Sequence, residues 1–437
     1  MIIDLEEITK EYINNSLKNQ KNEEKVIDIL ESAFSSNYHF PKMKLKTYSK
    51  LFKKNKEENF LSRKSSANLE TIYNNAVKIL NEISKIPCVI KIIEESKDEN
   101  RDANNFVISL ERFNPTILEQ SHFLVENLKD YKIYLKLSEH YLKKNNKDFF
   151  ELSFYPDNGS GNEIGVQYES SFIEQKKIGI CIVDSDKKYP KSEYGDTAKK
   201  ILLKKREDAL CEIIILDKQR ELENFISLTI LKILYESSFE NNNKFNNILN
   251  DIDDKFYNYM DIKEGIQIKD IFDKDFFNFW KTIFKNKILN CHFYYKLSEN
   301  SEPLEVNLTS FNEVNKFLKS KKFKELENKG TNFSKNEIKK IKEIIICEGY
   351  GNNISNLFIN FLENKNKLEN EIEKIRAISK LSENEKAIKI NKIKEKINQY
   401  NKKEDELFQN LNLKKVLEKI ILWGIKIRNI EKVFRDN

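Results

Sequence analysis

The stretch IGICIVDSDKK, residues 178–188, decides the fold class of this chain. Its apolar run shows no polar alternation, which is typical of a strand covered on both faces. The run ends in two aspartates, Asp184 and Asp186, and two lysines, Lys187 and Lys188, follow at once. Strands covered on both faces belong to parallel sheets flanked by helices, so we expect an α/β core whose ligands bind where the strands end.

The residues on either side of this stretch alternate between strand and helix patterns. Apolar or alternating strands are predicted at 121–126, 148–156 and 211–217, helices at 130–144, 195–208 and 221–238, and a loop at 157–162. Elsewhere apolar residues recur at helical spacing. We therefore predict a parallel-sheet α/β core inside a predominantly helical chain, α+β overall.

Three regions are predicted along the chain. Residues 1–115 are expected to be helical, with a β-hairpin formed by strands at 88–96 and 104–113. Residues 116–240 hold the α/β core. Residues 241–437 are expected to be helical and to include a charged helical hairpin at 361–400, an interaction arm or a solvated structural element. Ser382 and Glu385 form an S-x-x-E capping box at the start of its second arm, and a buried last helix is expected at 413–434.

Composition sets limits on the class of protein. The net charge of +6 results from 76 basic and 70 acidic residues, and this balance is only weakly indicative of a nucleic-acid partner. No apolar run approaches the roughly 18–20 residues that span a bilayer, and MIIDLEEITKEY lacks the features of a secretory signal. The five cysteines and four histidines show no zinc spacing. We expect a cytoplasmic protein with reduced thiols and no membrane partner.

Carboxylates follow each central strand. The set comprises Glu126 and Asp130 after FLV, Asp184 and Asp186 after CIV, and Glu221 and Glu223 after IIILD. The ends of neighbouring parallel strands converge, and strand alternation would put Asp184 and Asp186 on one side. A lone D-x-D is more often a solvated strand end, but the ordered set favours a metal site. Oxygen ligands without histidine or cysteine suit Mg²⁺ or Mn²⁺.

The segment 121–235 resembles the TOPRIM domain of topoisomerases, primases and OLD-family nucleases. FLVENLKDYKIY (123–134) is similar to the E-G-x-x-D-x-x-x-Y pattern of OLD-like members, with Asn127 in place of the usual glycine. RELENFI (220–226) resembles the R-E-x-E-N-Y-[LI] stretch that follows the D-x-D in OLD-like and related defence proteins. The resemblance covers about a quarter of the chain and implies a TOPRIM-like Rossmannoid core.

The resemblance also implies roles for these residues. Glu126 would be a metal ligand or general base, and Asp184 and Asp186 would be metal ligands. Asp130 and Glu223 would support the site or bind a second ion, and Glu221 competes with Glu223 for that role. The implied cofactor is Mg²⁺ or Mn²⁺.

Phosphate-binding candidates lie near the acidic set. Gly159 and Gly161 in DNGSGN would bring backbone N–H groups near a phosphate, although such a loop is more often an ordinary turn. Lys187 and Lys188 are further phosphate candidates. Lys263, expected within a helix, is a candidate catalytic cation in a chain where most lysines are ordinary surface residues. IIICEGYGNN (344–353) is predicted to be a helix that ends at a glycine.

The resemblance implies a metal-dependent endonuclease with a one- or two-metal mechanism, and DNA is the favoured substrate. The chain has no G-x-x-x-x-G-K-[ST] motif, so an ATPase or sensor would be a partner protein, as expected of a bacterial anti-phage effector. A homo-oligomer is compatible with this hypothesis. The first alternative is an RNA- or tRNA-cleaving toxin controlled by that ATPase. The second is a non-catalytic scaffold with a degenerate core. No zinc module or evident catalytic tyrosine domain supports a primase or a topoisomerase.

Overall fold

The structure is a computed structural model of the 437-residue chain. It describes residues 1–227 apart from 37, 85, 88, 96–105, 146 and 148–149, and residues 354–427 apart from 379–381. Between these ranges it describes residues 230–231, 254–267, 270, 273, 275–276, 278–280, 288–295, 304–310, 313, 316–317, 319–321 and 345–348.

The chain forms two compact units. Unit 1 comprises Met1–Val183, Lys199–Ile214 and Leu411–Asn437, and unit 2 comprises Asp184–Ala198 and Ile215–Asn410. The chain therefore passes from one unit to the other where the strand containing Val183 ends. The three regions expected from the sequence have other boundaries, and they stay a prediction.

The first sheet of unit 1 contains four short strands. They are β1 (Ile2–Asp4), β2 (Phe40–Lys42), β3 (Ile90–Ile93) and β4 (Phe106–Ser109), in the order β2-β1-β3-β4, and every pairing is parallel. The helices of this region are α1 (Glu6–Ile13), α2 (Gln20–Ser35), α3 (Leu45–Glu58), α4 (Arg63–Asn74) and α5 (Ala76–Ser84). Asn19 caps α2 and Ser62 caps α4 through their side-chain oxygens, as expected for N-cap residues.

The second sheet of unit 1 is the predicted α/β core. Its strands are β5 (His122–Val125), β7 (Tyr155–Asn158), β8 (Gly179–Val183) and β9 (Cys211–Ile215), in the order β7-β5-β8-β9. β5 is parallel to both β7 and β8, with Leu124 paired to Asp157 and to Cys181. All residues of β5 and β8 are buried, which confirms that these strands are covered on both faces.

Helices follow the strands of this sheet. They are α6 (Leu128–Lys144), α7 (Ile164–Tyr168) and α8 (Asp196–Lys204). Asn127 caps α6, because its side chain accepts a hydrogen bond of 2.9 Å from the N–H of Lys129. The parallel-sheet α/β core and the large helical share of the chain are therefore both present.

The end of the chain returns to unit 1. The last described helix, α12 (Leu411–Gly424), runs directly into strand β14 (Ile425–Ile427). This strand pairs antiparallel with β6 (Phe150–Leu152). The indole N–H of the buried Trp423 donates a 2.8 Å hydrogen bond to Glu212 Oε2. A Cβ at Gly424 would lie 2.0 Å from the ring of Phe154, so only glycine allows this close packing.

The described part of unit 2 contains two antiparallel strand pairs and a long helical hairpin. The strands are β10 (Gly265–Gln267) paired with β13 (Ile345–Glu348), and β11 (Ile288–Tyr295) paired with β12 (Leu304–Ser310). Helices whose bounds lie within the described residues are α9 (Asp254–Tyr257), α10 (Ile354–Ala377) and α11 (Glu383–Gln409). The helices α10 and α11 confirm the predicted hairpin, and Ile372, Ile375 and Ile393 pack between them. The predicted capping box of Ser382 and Glu385 is also present.

The structure corrects several local predictions. β3 and β4 are parallel neighbours, so the predicted hairpin at 88–113 is wrong. The predicted strand at 148–156 is two strands, β6 and β7, which belong to different sheets. Residues Ile345–Glu348 form strand β13, not a helix, because they pair with β10. The predicted helix at 413–434 is α12 followed by strand β14, and residues 428–437 lie outside the described part.

A further correction concerns the segment after β9. Residues Leu222–Phe225 form a single 3-10 turn, and Ile226 is extended, so no α-helix begins at 221. Residues 228–229 and 232–240 of the predicted helix lie outside the described part. Lys263 lies in a turn before β10, and the helical expectation for it is therefore wrong. Among the described helices, none has the length and apolar character needed to cross a membrane.

Candidate metal centre

Three carboxylates meet in unit 2. Asp184, Glu221 and Glu223 each offer an oxygen, and these oxygens all lie within 4.8 Å of one another. Asp184 follows β8 directly and is half-buried, whereas Glu221 is 6% and Glu223 0% exposed. Hence the D-x-D and E-x-E motifs, which are separated in the sequence, contribute to one acidic cluster. Below, "the cluster" means these three residues.

Asp184 is fixed by the 3-10 turn that carries the glutamates. Its Oδ1 accepts a 3.0 Å hydrogen bond from the backbone N–H of Leu222, the first residue of that turn. An N–H group at the start of a helical turn has no partner inside the turn, so a carboxylate is a suitable acceptor. This bond brings the end of β8 to the turn that follows β9.

Glu221 is held at both its backbone and its side chain. Its N–H donates to Asn224 Oδ1 over 2.8 Å, and Asn224 Nδ2 donates to the carbonyls of Tyr257 and Met260 over 2.7 and 3.0 Å. The side chain of Glu221 is held as well, because its Oε1 accepts a 2.8 Å hydrogen bond from the N–H of Ile262. Asn224, the asparagine of RELENF, therefore ties the turn to the segment that precedes β10.

Glu223 receives its hydrogen bond from a distant part of the chain. Its Oε1 accepts a 2.7 Å hydrogen bond from the hydroxyl of Ser355, in the first turn of α10. Its Oε2 lies 3.0 Å from Lys263 Nζ. Among the described residues, no group donates a well-aligned hydrogen bond to this buried oxygen. The ammonium of Lys263 thus compensates the charge of Oε2, and a metal ion at this oxygen would take its place.

Lys263 lies against both glutamates. Its Nζ is 3.0 Å from Glu223 Oε2 and 3.4 Å from Glu221 Oε2. Burial lowers the pKa of Lys263, but the charges of Glu223, Glu221 and Asp184 outweigh this effect and raise it above its ordinary value. Burial and the charge of Glu223 raise the pKa of Glu221 to about 8. The cluster is therefore rich in negative charge that one ammonium does not fully offset.

Asp186 lies beside the cluster but is not one of its three carboxylates. The expected alternation of Asp184 and Asp186 is wrong, because β8 ends at Val183 and Asp186 has a left-handed φ of 53°. Its side chain packs on Gly195, where an added Cβ would lie 2.4 Å from Asp186 Oδ2. Burial raises the pKa of Asp186, while the charge of Arg220 lowers it and that of Asp261 raises it.

The two lysines after the aspartates are engaged in ion pairs. Lys187 pairs with Asp217, whose Oδ1 also accepts a 2.8 Å hydrogen bond from the hydroxyl of Tyr194. Lys188 pairs with Asp270 over 2.6 Å. Their role as phosphate contacts stays a prediction, and binding a phosphate would require each lysine to share or exchange its carboxylate partner.

The remaining predicted site residues belong to unit 1. Glu126 follows β5, and Asp130 lies in the first turn of α6. The N–H of Gly159 donates to the carbonyl of Val125 over 2.7 Å, and that of Gly161 to the carbonyl of Glu126 over 3.4 Å. The glycine loop therefore closes on the end of β5, and its two amides already have acceptors. Glu126 and Asp130 are not members of the cluster.

Sequence reasoning missed Ser355, Asn224 and the Ile262 amide, which hold the glutamates in place. Asn224 had a local signal, since it stands three residues after Glu221 where a helical turn begins. Ser355 had none, because nothing in ISNLFINF distinguishes its serine from an ordinary first-turn residue.

The chain was compared with protein-family models, with curated proteins and with solved structures, and nothing matched in any of the three comparisons. The geometry of the cluster and the resemblance of its motifs are therefore the features that point to a function.

Proposed function

We propose that the protein is a metal-dependent nuclease with a TOPRIM-like core, in which Asp184, Glu221 and Glu223 hold Mg²⁺ or Mn²⁺. The observation that carries the proposal is the convergence of the three carboxylate oxygens within 4.8 Å. Three hard oxygen donors without histidine or cysteine fit these ions. An ammonium already lies 3.0 Å from the buried Glu223 Oε2, which also supports a cation position there.

The residues around the cluster prepare it for an ion. Ile262 N–H and the Ser355 hydroxyl each hold one oxygen of a glutamate, so the carboxylate planes are fixed before anything binds. When bound, the ion would lower the pKa of a coordinated water and offset the charge of a phosphodiester. Lys263, beside both glutamates, supplies a positive charge where the phosphate would approach.

The finer parts of the proposal rest on the resemblance of the motifs. Glu126 and Asp130 would be further acidic groups of a TOPRIM site, and Asp186 would assist the cluster from beside it. DNA is the proposed substrate, and RNA or tRNA is the alternative. The effector of a bacterial defence system, controlled by a partner ATPase or sensor, is the proposed context.

One observation favours a second candidate, a non-catalytic scaffold. Lys263 already lies between Glu221 and Glu223, so the cluster could serve as a structural ion-pair network without any metal. In that case the three carboxylates would stabilise unit 2 and would have no catalytic role.

A cleavage assay separates these candidates. Purified protein is incubated with plasmid, single-stranded DNA and total tRNA, with Mg²⁺, Mn²⁺ or EDTA. We expect metal-dependent cleavage that Asp184→Ala abolishes and Asp208→Asn retains, since Asp208 is an exposed carboxylate of unit 1 paired with Arg206. The same assay is run on Glu126→Ala, because the role of Glu126 in the site is proposed from the resemblance of its motif.

Cleavage that survives both Asp184→Ala and Glu126→Ala would contradict the site assignment. No cleavage of any substrate together with no metal binding in calorimetry would favour the scaffold. Because an effector can need an activator, toxicity on expression in bacteria is compared between the unchanged chain and Asp184→Ala. Preferential cleavage of tRNA over plasmid would select the alternative substrate.

A further inference from the structure

In both glutamates of the cluster, the oxygen that accepts no hydrogen bond from Ile262 or Ser355 faces Lys263. Glu221 Oε1 accepts from Ile262 N–H over 2.8 Å, and Glu223 Oε1 accepts from the Ser355 hydroxyl over 2.7 Å. The other oxygen of each glutamate, Oε2, faces the ammonium of Lys263 at 3.4 and 3.0 Å. An ion that binds both glutamates must therefore compete with Lys263 for the two Oε2 atoms.

We propose that Lys263 is the resident counter-cation of the cluster and that a divalent metal ion displaces its ammonium from Glu221 and Glu223. This inference rests on the proposed function, since it assigns a competitor to the same metal site. Two cations on the same buried carboxylates repel each other strongly, because the effective dielectric constant there is far below that of water. The side chain of Lys263 is 26% exposed, so the released ammonium has a path to solvent.

The arrangement explains why the metal-free chain tolerates Glu223 at zero exposure. A buried carboxylate without a compensating charge is strongly destabilising, and Lys263 provides that charge until a metal does. The consequence is a site whose metal affinity is set below that of the bare carboxylates. Lys263 acts here as a positioning residue, through the oxygens that it occupies.

The first test is metal affinity. Mn²⁺ binding is measured by calorimetry for the unchanged chain, for Lys263→Met and for Lys426→Met. Lys426 is a matched control, since its side chain is also 26% exposed and pairs with Glu151 over 3.2 Å in unit 1. We expect Lys263→Met to bind Mn²⁺ at least about tenfold more tightly, because a competing charge has been removed, and Lys426→Met to bind it unchanged.

The second test needs no substitution, so it decides the question even if Lys263→Met fails to fold. The unchanged chain is treated briefly with an amine-acylating reagent, with Mn²⁺ or with EDTA, and the modified lysines are quantified by mass spectrometry. We expect the acylation rate of Lys263 to rise several-fold with Mn²⁺ and to return to its metal-free value with EDTA. The acylation rate of Lys426 should stay constant.

The outcomes distinguish this inference from the proposed function. If Mn²⁺ binds but Lys263→Met gains no affinity, or the acylation of Lys263 does not rise, the displacement is wrong and the metal site stands. If neither the unchanged chain nor Lys263→Met binds Mn²⁺, the metal site and the displacement both fail. Binding by Lys263→Met alone would support the displacement in its strongest form.

Discussion

The hydroxyl of Ser355 donates a 2.7 Å hydrogen bond to Glu223 Oε1, joining two residues that are 132 positions apart in the chain. Ser355 lies in the first turn of α10, where the helix dipole also favours a negative charge. The position of a fully buried carboxylate in the cluster therefore depends on the start of the long helical hairpin. Through this bond, the region after residue 354 takes part in the candidate site.

Replacing this serine should affect both stability and metal binding. Ser355→Ala removes the donor to a buried charged acceptor, so we expect the free energy of unfolding to fall by about 1–3 kcal/mol. We also expect weaker Mn²⁺ binding, because Oε1 of Glu223 then lacks the donor that fixes the carboxylate plane. Urea denaturation and calorimetry measure the two effects.

Ser65→Ala is the matched control for Ser355→Ala. Its hydroxyl, fully buried in unit 1, donates to Glu31 Oε1 over the same 2.7 Å. We expect a smaller loss of stability, because the Ser62 hydroxyl still donates to Glu31 Oε1 over 2.6 Å, and no change in Mn²⁺ binding. If Ser355→Ala binds Mn²⁺ as tightly as the unchanged chain, the bond has no role in preparing the site.

The packing of Asp186 on Gly195 gives a second prediction. In Gly195→Ala, the new Cβ would lie 2.4 Å from both Cβ and Oδ2 of Asp186, which already has a left-handed backbone. We expect Asp186 to be pushed away, with a loss of about 1–3 kcal/mol in the free energy of unfolding. Thermal and urea denaturation measure this loss.

Gly165→Ala provides the comparison for Gly195→Ala. Gly165 lies in α7, where an added Cβ would be 3.3 Å from the Cβ of Lys200. Since alanine also favours the helix, we expect a change below about 1 kcal/mol. Equal effects of the two substitutions would show that the contact with Asp186 is not tight.

Much of the fold could be predicted from local sequence patterns. The buried runs of β5 and β8, the amphipathic α6 and the capped hairpin of α10 and α11 each carry their own periodicity. The parallel pairing of β3 with β4 could not be predicted, since two adjacent apolar runs are equally compatible with a hairpin. Strand β14 could not be predicted either, because it follows helix α12 without a break in the sequence pattern. It is a strand because it pairs with β6.

The candidate site was predictable in part. The motifs D-x-D and E-x-E predict Asp184, Glu221 and Glu223 as metal ligands, and the structure places their carboxylates together. Asp186 lies outside the cluster because strand alternation applies only within a strand, and β8 ends at Val183. The contacts from Ser355 and Ile262 join segments that are far apart in the sequence, and no spacing rule anticipates such contacts.

The metal proposal predicts a change in thermal stability. A ligand that binds only the folded state stabilises it by about 2.7 kcal/mol at a hundred times its Kd, so Mn²⁺ should raise the Tm and EDTA should reverse the rise. Asp184→Asn should lose this response, because a half-buried ligand of the cluster becomes neutral. Asp208→Asn should keep it. Equal Tm shifts in both variants would place the ion elsewhere.

The pH dependence of stability without metal is the last prediction, and it follows from Glu221. Its pKa in the folded chain is raised from 4.5 to about 8 by burial and by the charge of Glu223. The folded state therefore binds more protons than the unfolded state between these values. By linkage, this stabilising contribution is fully present below about pH 4.5 and is lost as the pH rises through about 8.

Chemical denaturation in EDTA at a series of pH values measures this loss of stability. Burial raises the pKa of Asp186 as well, and the same linkage adds to the slope at the acidic end. Glu221→Gln isolates the contribution of Glu221, since its amide does not titrate, and we expect a shallower fall in stability across the range. The raised pKa of Lys263 keeps its ammonium charged throughout, so it adds no slope there. Parallel pH profiles for Glu221→Gln and the unchanged chain would contradict the raised pKa and the burial that causes it.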